Sequence, residues 1–285
     1  MMKSKALLNL VLLGVAGLLA GSCASPASTL QTAKSLEPGD FEINANVGVH
    51  VAPSAISAIY DQGKVAANRA KDDLAEGMEP SLTNEDVDAI IGAAFSALIV
   101  GPTPIPEFGV RVGIFKGLEV GGAYTTAGYR LETKYQFLRH DAGHFADMSL
   151  GFQFFRQTTE PPVPSFLVDI FELEDIVRND FWVPLLISKD MSQFFTAYGG
   201  LKFGYSTIDA SILQRISDAS GEELSTNDSI IQMGGVVGGS AGYKWVRLLF
   251  ELNVLYYDFG VSALGRDIDV SGLTLYPALG LRLEF

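Results

Sequence analysis

An alternation of apolar and polar residues, with a period of two, is the feature that most constrains the fold of this chain. Successive side chains of a β-strand point to opposite faces, so each alternating segment is predicted to be a strand with one apolar face. The pattern recurs about ten times, at 41–51, 108–114, 118–124, 129–137, 146–154, 181–188, 195–205, 231–245, 248–257 and 273–285.

The polar face of these strands is unusual in composition, because Gly, Ala and Ser dominate it and charges of both signs are isolated. A soluble β-sandwich would show the same alternation, but its solvent face would more often carry Lys, Glu and Thr throughout. Small residues and balanced charges suit the inside of a narrow barrel, where they pack and pair. The charges predicted to face the lumen are Arg111, Glu119, Arg130, Glu132, Lys134, Lys202, Lys244, Glu251 and Arg282.

The last strand carries five leucines between Leu273 and Leu283 on one parity and ends on Phe285. It resembles the closing strand of bacterial outer-membrane β-barrels. The resemblance implies an all-β fold, a closed antiparallel transmembrane barrel of about ten strands in the outer membrane, surrounded by its lipid. It also implies that the barrel-assembly machinery reads the terminal aromatic strand. The apolar run 90–100 is too short for a spanning helix, and only helices and closed barrels satisfy the backbone within a membrane.

Connection lengths favour the same architecture, since such barrels alternate short periplasmic turns with longer outer loops. Long outer loops are predicted at 158–180, 208–228 and 259–271, whereas a short link near Thr126 breaks the rule. Aromatic residues cluster at both strand ends, as in the belts that flank a membrane. The predicted periplasmic belt is Phe115, Tyr135, Phe137, Phe145, Phe194, Trp245 and Phe285; the outer belt is Tyr124, Tyr129, Phe154, Phe181, Tyr205 and Tyr256.

The first residues read as an export signal, with two lysines, an apolar stretch and small residues before a cleavage site. Residues 1–22 are assigned to it, and the sequence before Cys23 resembles a bacterial lipobox, which implies lipidation of Cys23. Ser22-Cys23-Ala24 also fits an ordinary small-x-small cleavage that removes the cysteine. Residues 23–38 are predicted to be a lipidated or flexible periplasmic leader, and 39–285 a single barrel domain.

The insert 54–100 is predicted to be helical and to belong to an outer loop. Its second helix has an N-cap at Thr83, and its apolar stripe must be buried somewhere. We expect it to plug or cap the barrel mouth; lying on the outer leaflet or meeting a partner are alternatives. The stripe is Val87, Ile90, Ile91, Phe95 and Leu98. Further helical insertions are predicted in two other outer loops, at Phe166, Ile170, Leu173 and Ile176 and at Ile212, Leu213 and Ile216.

The sequence offers little chemistry. A formal net charge of −13 argues against nucleic acid as a partner. His50 with Ser54 lacks a third partner, His140 and His144 are weak evidence for a metal, and no cofactor fingerprint is present. We therefore predict that the protein has no catalytic residue, metal or cofactor, and that it is not an enzyme.

Two functions remain open. The barrel is predicted to be a small channel-like or transporter-like protein, with the 54–100 insert as plug or cap and a small solute or hydrophobic ligand as cargo. The alternative is a closed structural or surface-interaction barrel that displays acidic helical loops. The oligomeric state stays open.

Overall fold

The computed structural model describes residues 25–53, 104–158, 171–214, 223–263 and 266–285. Ten strands form one sheet, which confirms the predicted number. Their bounds are β1 Phe41–Val49, β2 Pro104–Phe115, β3 Leu118–Thr125, β4 Gly128–Leu138, β5 Asp147–Gln157, β6 Phe171–Ser192, β7 Phe195–Gln214, β8 Glu223–Tyr243, β9 Val246–Ala263 and β10 Arg266–Glu284.

The sheet closes on itself, because each strand pairs antiparallel with its neighbour in sequence and β1 also pairs with β10. At the closing seam Ala45 lies opposite Leu281, and the last residue exchanges two backbone hydrogen bonds with Phe41 (2.9 and 3.0 Å). The seam therefore satisfies the backbone groups that an open sheet would leave at two edges. The prediction of a closed antiparallel barrel is confirmed.

The two faces of the barrel wall have the predicted parity. Outward side chains are large, apolar and exposed, as Phe108 and Leu201 show, whereas the inward Arg111 and Glu119 are buried. This is the reverse of a water-soluble domain, which buries its apolar surface and exposes its charges. A contiguous apolar outer wall of this extent needs an apolar surrounding.

The two ends of the barrel differ. The short-turn end holds the turns at 116–117, 139–146, 193–194 and 244–245 together with Phe285. The long-connection end holds the connections 50–103 and 158–170 and three shorter ones, and the link after Thr125 is one of these. Exposed aromatic rings surround the short-turn end, at Phe115, Tyr135, Phe137, Phe145, Phe194, Trp245 and Phe285.

Strands β6 to β10 extend much farther toward the long-connection end than the sequence pattern predicts. They have 18 to 22 residues, against 8 to 12 in β1 to β5. The predicted long loops 208–228 and 259–271 are therefore largely strand. Pairing of β8 with β9 begins at Ile230 opposite Phe259, so beyond that level β6 to β8 and β9 to β10 continue as separate sheets.

Two of the predicted helical insertions are wrong where the structure describes them. Leu173 and Ile176 lie in β6, and Ile212 and Leu213 lie in β7, with Leu173 paired opposite Ile212. Backbone pairing between these strands outweighs the i, i+3 spacing, which fits a short strand as well as a helix. The other residues of these two predicted helices, Phe166, Ile170 and Ile216, lie outside the described residues.

Several other predictions also lie outside the described residues. They are the export signal, Cys23 and the insert 54–100 with Val87, Ile90, Ile91, Phe95 and Leu98. Within the described ranges, no helix is long and apolar enough to cross a membrane.

Candidate functional site in the barrel lumen

The lumen wall formed by β1 to β5 is charged, and its charges are paired. Arg111 bridges two carboxylates: its Nη1 lies 2.7 Å from Glu42 Oε1, and its Nε donates to Glu132. Arg130 Nη2 lies 2.7 Å from Glu107 Oε1. These side chains are all buried, so each charge depends on its partner to offset lost hydration.

The opposite wall, formed mostly by β6 to β10, combines apolar and aromatic side chains with polar and charged ones on its inner face, among them Lys202, Glu251 and Arg282. One cluster includes Trp182, Leu249, Leu255 and Tyr276, and a second combines Leu186, Tyr198 and Val236. The first cluster also contains Ala27 and Leu30, and the second contains Ala33. These three residues precede β1, so part of the N-terminal chain packs inside the barrel.

Residues 25–36, which we call the luminal segment, fill the space between the two walls. Apart from Lys34, each of them is buried. The sequence predicts a lipidated or flexible periplasmic leader here, because the segment is rich in Ser, Ala, Thr and Pro. Most of its side chains are small (Ser, Ala or Thr), which explains how an extra backbone segment fits inside the barrel. The lumen of a ten-strand barrel is only slightly wider than the space that inward side chains alone can fill.

The luminal segment runs beside β4 and in the same direction. Three contacts follow in order from the long-connection end to the short-turn end: Arg130 Nη1 with Ser28 O at 2.9 Å, Lys134 Nζ with Thr32 O at 3.0 Å, and Ser35 N with Gln136 Oε1 at 2.9 Å. Segment and strand advance almost residue for residue along these contacts. The segment is therefore extended across this part of the barrel.

Glu251 holds the middle of the luminal segment from the other side. Its carboxylate accepts from Thr29 N at 2.8 Å, Thr29 Oγ1 at 2.6 Å and Leu30 N at 2.7 Å. Tyr198 OH also donates to it, at 2.9 Å. Leu30 has a φ of 42°, which is rare for a residue with a side chain, so these contacts hold a strained backbone.

Other wall residues satisfy the rest of the segment's backbone. Lys202 Nζ donates to Ala27 O at 2.5 Å and lies 4.6 Å from the Trp182 ring centroid. Ser188 Oγ accepts from Ala33 N at 3.1 Å. These bonds are needed because an unpaired buried backbone group costs about as much as a lost hydrogen bond.

The two ends of the luminal segment lie at opposite ends of the barrel. Ser25 O is 2.8 Å from His50 Nε2, and His50 follows the last residue of β1 at the long-connection end. At the other end Leu36 N donates to Glu119 Oε2 at 3.0 Å, next to the short turn after β2. The segment thus traverses the lumen.

Beyond the luminal segment the chain turns back into the barrel wall at the short-turn end. Gly39, with a φ of 93°, makes this turn, and its N–H donates to Gly113 O at 2.9 Å. Arg139 bonds Glu37 at 2.8 Å and Asp141 at 3.0 Å across the turn. The hydrogen bond from Arg139 holds the pKa of the Asp141 carboxyl below its usual value.

A cavity of about 440 Å³ opens at the short-turn end below the luminal segment. Basic and acidic groups of both segment and wall line it, including Lys34, Lys134, Glu119 and Arg282. Thr32, Ser35 and Leu36 also line this cavity, where the segment bounds it.

Eight of the nine charges predicted for the lumen are buried inside the barrel: Arg111, Glu119, Arg130, Glu132, Lys134, Lys202, Glu251 and Arg282. Lys244 differs, since it is exposed in the tight turn between β8 and β9, where its backbone has a φ of 54°. The parity of β8 ends at Tyr243, so alternation does not extend to Lys244. His140 Nδ1 bonds His144 O at 2.7 Å, and no cluster of metal-ligating side chains occurs in the described residues.

Five further charged residues line the lumen but are not among the nine predicted ones: Glu42, Glu107, Asp147, Arg178 and Asp180. Glu42 and Glu107 lie on the inward parity of β1 and β2, but β2 begins at Pro104, earlier than the predicted strand. Arg178 and Asp180 form an ion pair at 2.9 Å in the part of β6 that was predicted to be a loop. Glu42 and Asp147 already lie on the inward parity of predicted strands, whereas Glu107 requires an extension of one residue and Asp180 and Arg178 an extension of up to three residues.

No protein-family model matches the chain, and no curated protein is similar to it. Solved structures resemble it weakly. Neisserial surface protein A is 10% identical, with a TM-score of 0.31, and the match covers 86% of this chain and 96% of that one. Ail of Yersinia pestis is 11% identical over 87% and 99%, also with a TM-score of 0.31. The translocator domain of the autotransporter NalP from Neisseria meningitidis is 10% identical over 88% and 90%, with a TM-score of 0.38. Since the identities are near 10% and the TM-scores below 0.5, no function is transferred from these proteins.

Proposed function

We propose that this protein is a closed outer-membrane β-barrel that serves as an anchor and presents the long strands β6 to β10 at the cell surface. The apolar outer wall and the aromatic rings at its short-turn end support placement in a membrane. Short turns are periplasmic in such barrels, so the long-connection end faces outward.

The filled lumen carries this proposal. A diffusion pathway needs a continuous water-filled passage, whereas the luminal segment is packed between the two walls of the barrel. Its backbone is bonded to wall residues along its length, from Ala27 O with Lys202 to Leu36 N with Glu119. A closed anchor needs no displacement of these contacts.

Planar-bilayer recording tests the proposal. The wild-type protein should show no unitary conductance, and neither should a variant that lacks residues 54–100, since the luminal segment remains in both. Channel activity of the wild type would overturn the closed-anchor role. Conductance of the deletion variant alone would instead favour the insert, with its stripe from Val87 to Leu98, as the plug.

A channel-like or transporter-like role is the second candidate. One observation favours this role. The luminal segment is held to β1 to β5 by hydrogen bonds from charged side chains, as at Arg130 and Lys134. Withdrawal of the segment would therefore expose a charged wall. A small polar solute is the cargo that such a wall would admit. Solute uptake by proteoliposomes under conditions that displace the segment would support this role.

Lipidation of Cys23 is a separate proposal, and it rests on the lipobox-like sequence alone. Replacement of Cys23 by Ser should remove acyl chains from the mature protein. A wild-type mass that matches the bare polypeptide would contradict lipidation.

A further inference from the structure

We propose that the barrel carries its own N-terminal chain through the lumen, so that the residues preceding Ser25 emerge at the outer surface of the cell. The proposal rests on the orientation given above, in which the long-connection end faces outward. A closed anchor does not require this route, because the residues before β1 in such a barrel could equally stay in the periplasm. The route is therefore an addition to the proposed function.

The direction of the luminal segment carries the inference. Its C-terminal end, at Leu36 and Glu37, contacts Glu119 and Arg139 at the short-turn end. Its N-terminal end, at Ser25, contacts His50 at the opposite end. The three contacts with β4 lie in the same order, so the chain does not reverse between these points.

The path back toward the periplasm is occupied. Residues 26–36 fill the lumen below Ser25, and the buried Trp182 and Tyr276 pack against this part of the chain. The chain that precedes Ser25 consequently leaves through the long-connection end. Ser25 Oγ lies 3.5 Å from Arg178, which belongs to the same end of β6.

This route restricts where an acyl group on Cys23 can lie. Cys23 is two positions before Ser25, and an extended chain spans at most about 7 Å over that distance. The hydrocarbon core of a bilayer is about 30 Å thick. A threaded chain therefore cannot keep an acyl group of Cys23 in the periplasmic leaflet, and any such group lies at the outer leaflet.

Surface labelling of intact cells tests the inference with the full-length chain. A short epitope placed between Ala24 and Ser25 should bind antibody on intact cells, as should the same epitope placed within 215–222. An epitope placed after Gly143, in the short turn between β4 and β5, should bind only after permeabilisation. Heat-modifiable gel mobility verifies that each variant is folded.

A smaller change guards against misfolding caused by the epitope. With position 24 retained in the mature chain and reacted lysines located by peptide mass mapping, Ala24→Lys should react with a membrane-impermeant amine reagent on intact cells, whereas the exposed native Lys116 in the turn after β2 should not. The topology is overturned if position 24 reacts only after permeabilisation in the folded protein. Bilayer recording remains independent of this result, since a closed lumen with an unlabelled position 24 would leave the anchor role intact.

Discussion

Glu251 fixes two consecutive backbone amides of the luminal segment, at Thr29 and Leu30. A Gln at position 251 keeps the shape, but it removes the charge and one acceptor oxygen. Hydrogen bonds to charged groups contribute about 1.5–3 kcal/mol each. We predict that Glu251→Gln lowers the free energy of unfolding by about 2–3 kcal/mol, measured by denaturant titration in detergent.

The same strand supplies a matched control for that change. Asp258 is also a carboxylate on β9, but it is exposed on the opposite parity. Asp258→Asn should leave the free energy of unfolding within about 0.5 kcal/mol of the wild type. Equal effects of the two substitutions would mean that Glu251 does not hold the segment.

Gly113 is required by the close approach of the chain where it leaves the lumen. A Cβ at position 113 would lie 2.1 Å from Glu37 O, which is backbone and cannot move aside freely. Overpacking of this kind typically costs about 1–3 kcal/mol. We predict that Gly113→Ala loosens the luminal segment, so that limited proteolysis cuts within residues 25–37 faster than in the wild type.

Gly122 provides the control, because a Cβ there would meet its nearest atoms at 3.6 and 3.7 Å, which is ordinary contact. Gly122→Ala should keep the wild-type proteolysis rate. Unchanged proteolysis of the Gly113 variant would contradict the position of the chain beside β2.

Among the strands, the closing seam between β1 and β10 depends on the last residue. Phe285 stacks on Phe41 with ring centroids 5.0 Å apart and on Trp245 at 6.4 Å. Such aromatic pairs contribute about 0.5–1.5 kcal/mol each beyond their buried area. Phe285→Ala should lower the temperature at which the purified, refolded barrel loses its folded gel mobility.

Refolding in vitro separates this effect from recognition of the terminal strand during assembly. Phe115→Ala is the comparison, since Phe115 is exposed at the same end of the barrel. It should change the transition temperature less than Phe285→Ala does. A larger fall in transition temperature for Phe115→Ala would show that stacking at the seam contributes little to the stability of the barrel.

The strands that the sequence predicted well are those whose two faces meet different surroundings. In β4, outward side chains are exposed and inward ones line the lumen, and this contrast matches the alternation from Tyr129 to Phe137. The parts of β6 to β10 nearest the long-connection end were predicted to be loops, because the sequence alternation stops there although backbone pairing continues. Leu173 and Ile212 are examples. The apolar spacing around each residue predicted a helix, but Leu173 in β6 pairs with Ile212 in β7.

The luminal segment could not be predicted for a related reason. Its fold depends on partners more than 80 residues away in sequence, such as Glu119 with Leu36 and Glu251 with Thr29. A short run of Ser, Ala and Thr has no periodicity that reveals these contacts. The charges of the wall, by contrast, could be predicted, since parity alone places Arg111, Arg130 and Lys134 inward.

At the scale of the whole molecule, the barrel is a closed wall folded around part of its own chain. The luminal segment has partners in both walls: its backbone carbonyls accept from Arg130, Lys134 and Lys202, and Ala27, Leu30 and Ala33 pack in clusters with Trp182 and Leu186. The proposed closure of the lumen and the proposed route of the N-terminal chain both rest on this single arrangement.

Cysteine cross-linking measures that arrangement directly. In a Cys23→Ser background, Ala33→Cys with Ser188→Cys should form a disulfide or react with a short bifunctional thiol reagent, since Ala33 N and Ser188 Oγ are 3.1 Å apart. Ser25→Cys with Ser188→Cys should not, because positions 25 and 33 are eight positions apart in a largely extended segment, which spans roughly 20–25 Å. Cross-linking of 25 with 188, or of neither pair in the folded barrel, would contradict a segment threaded through the lumen in this direction.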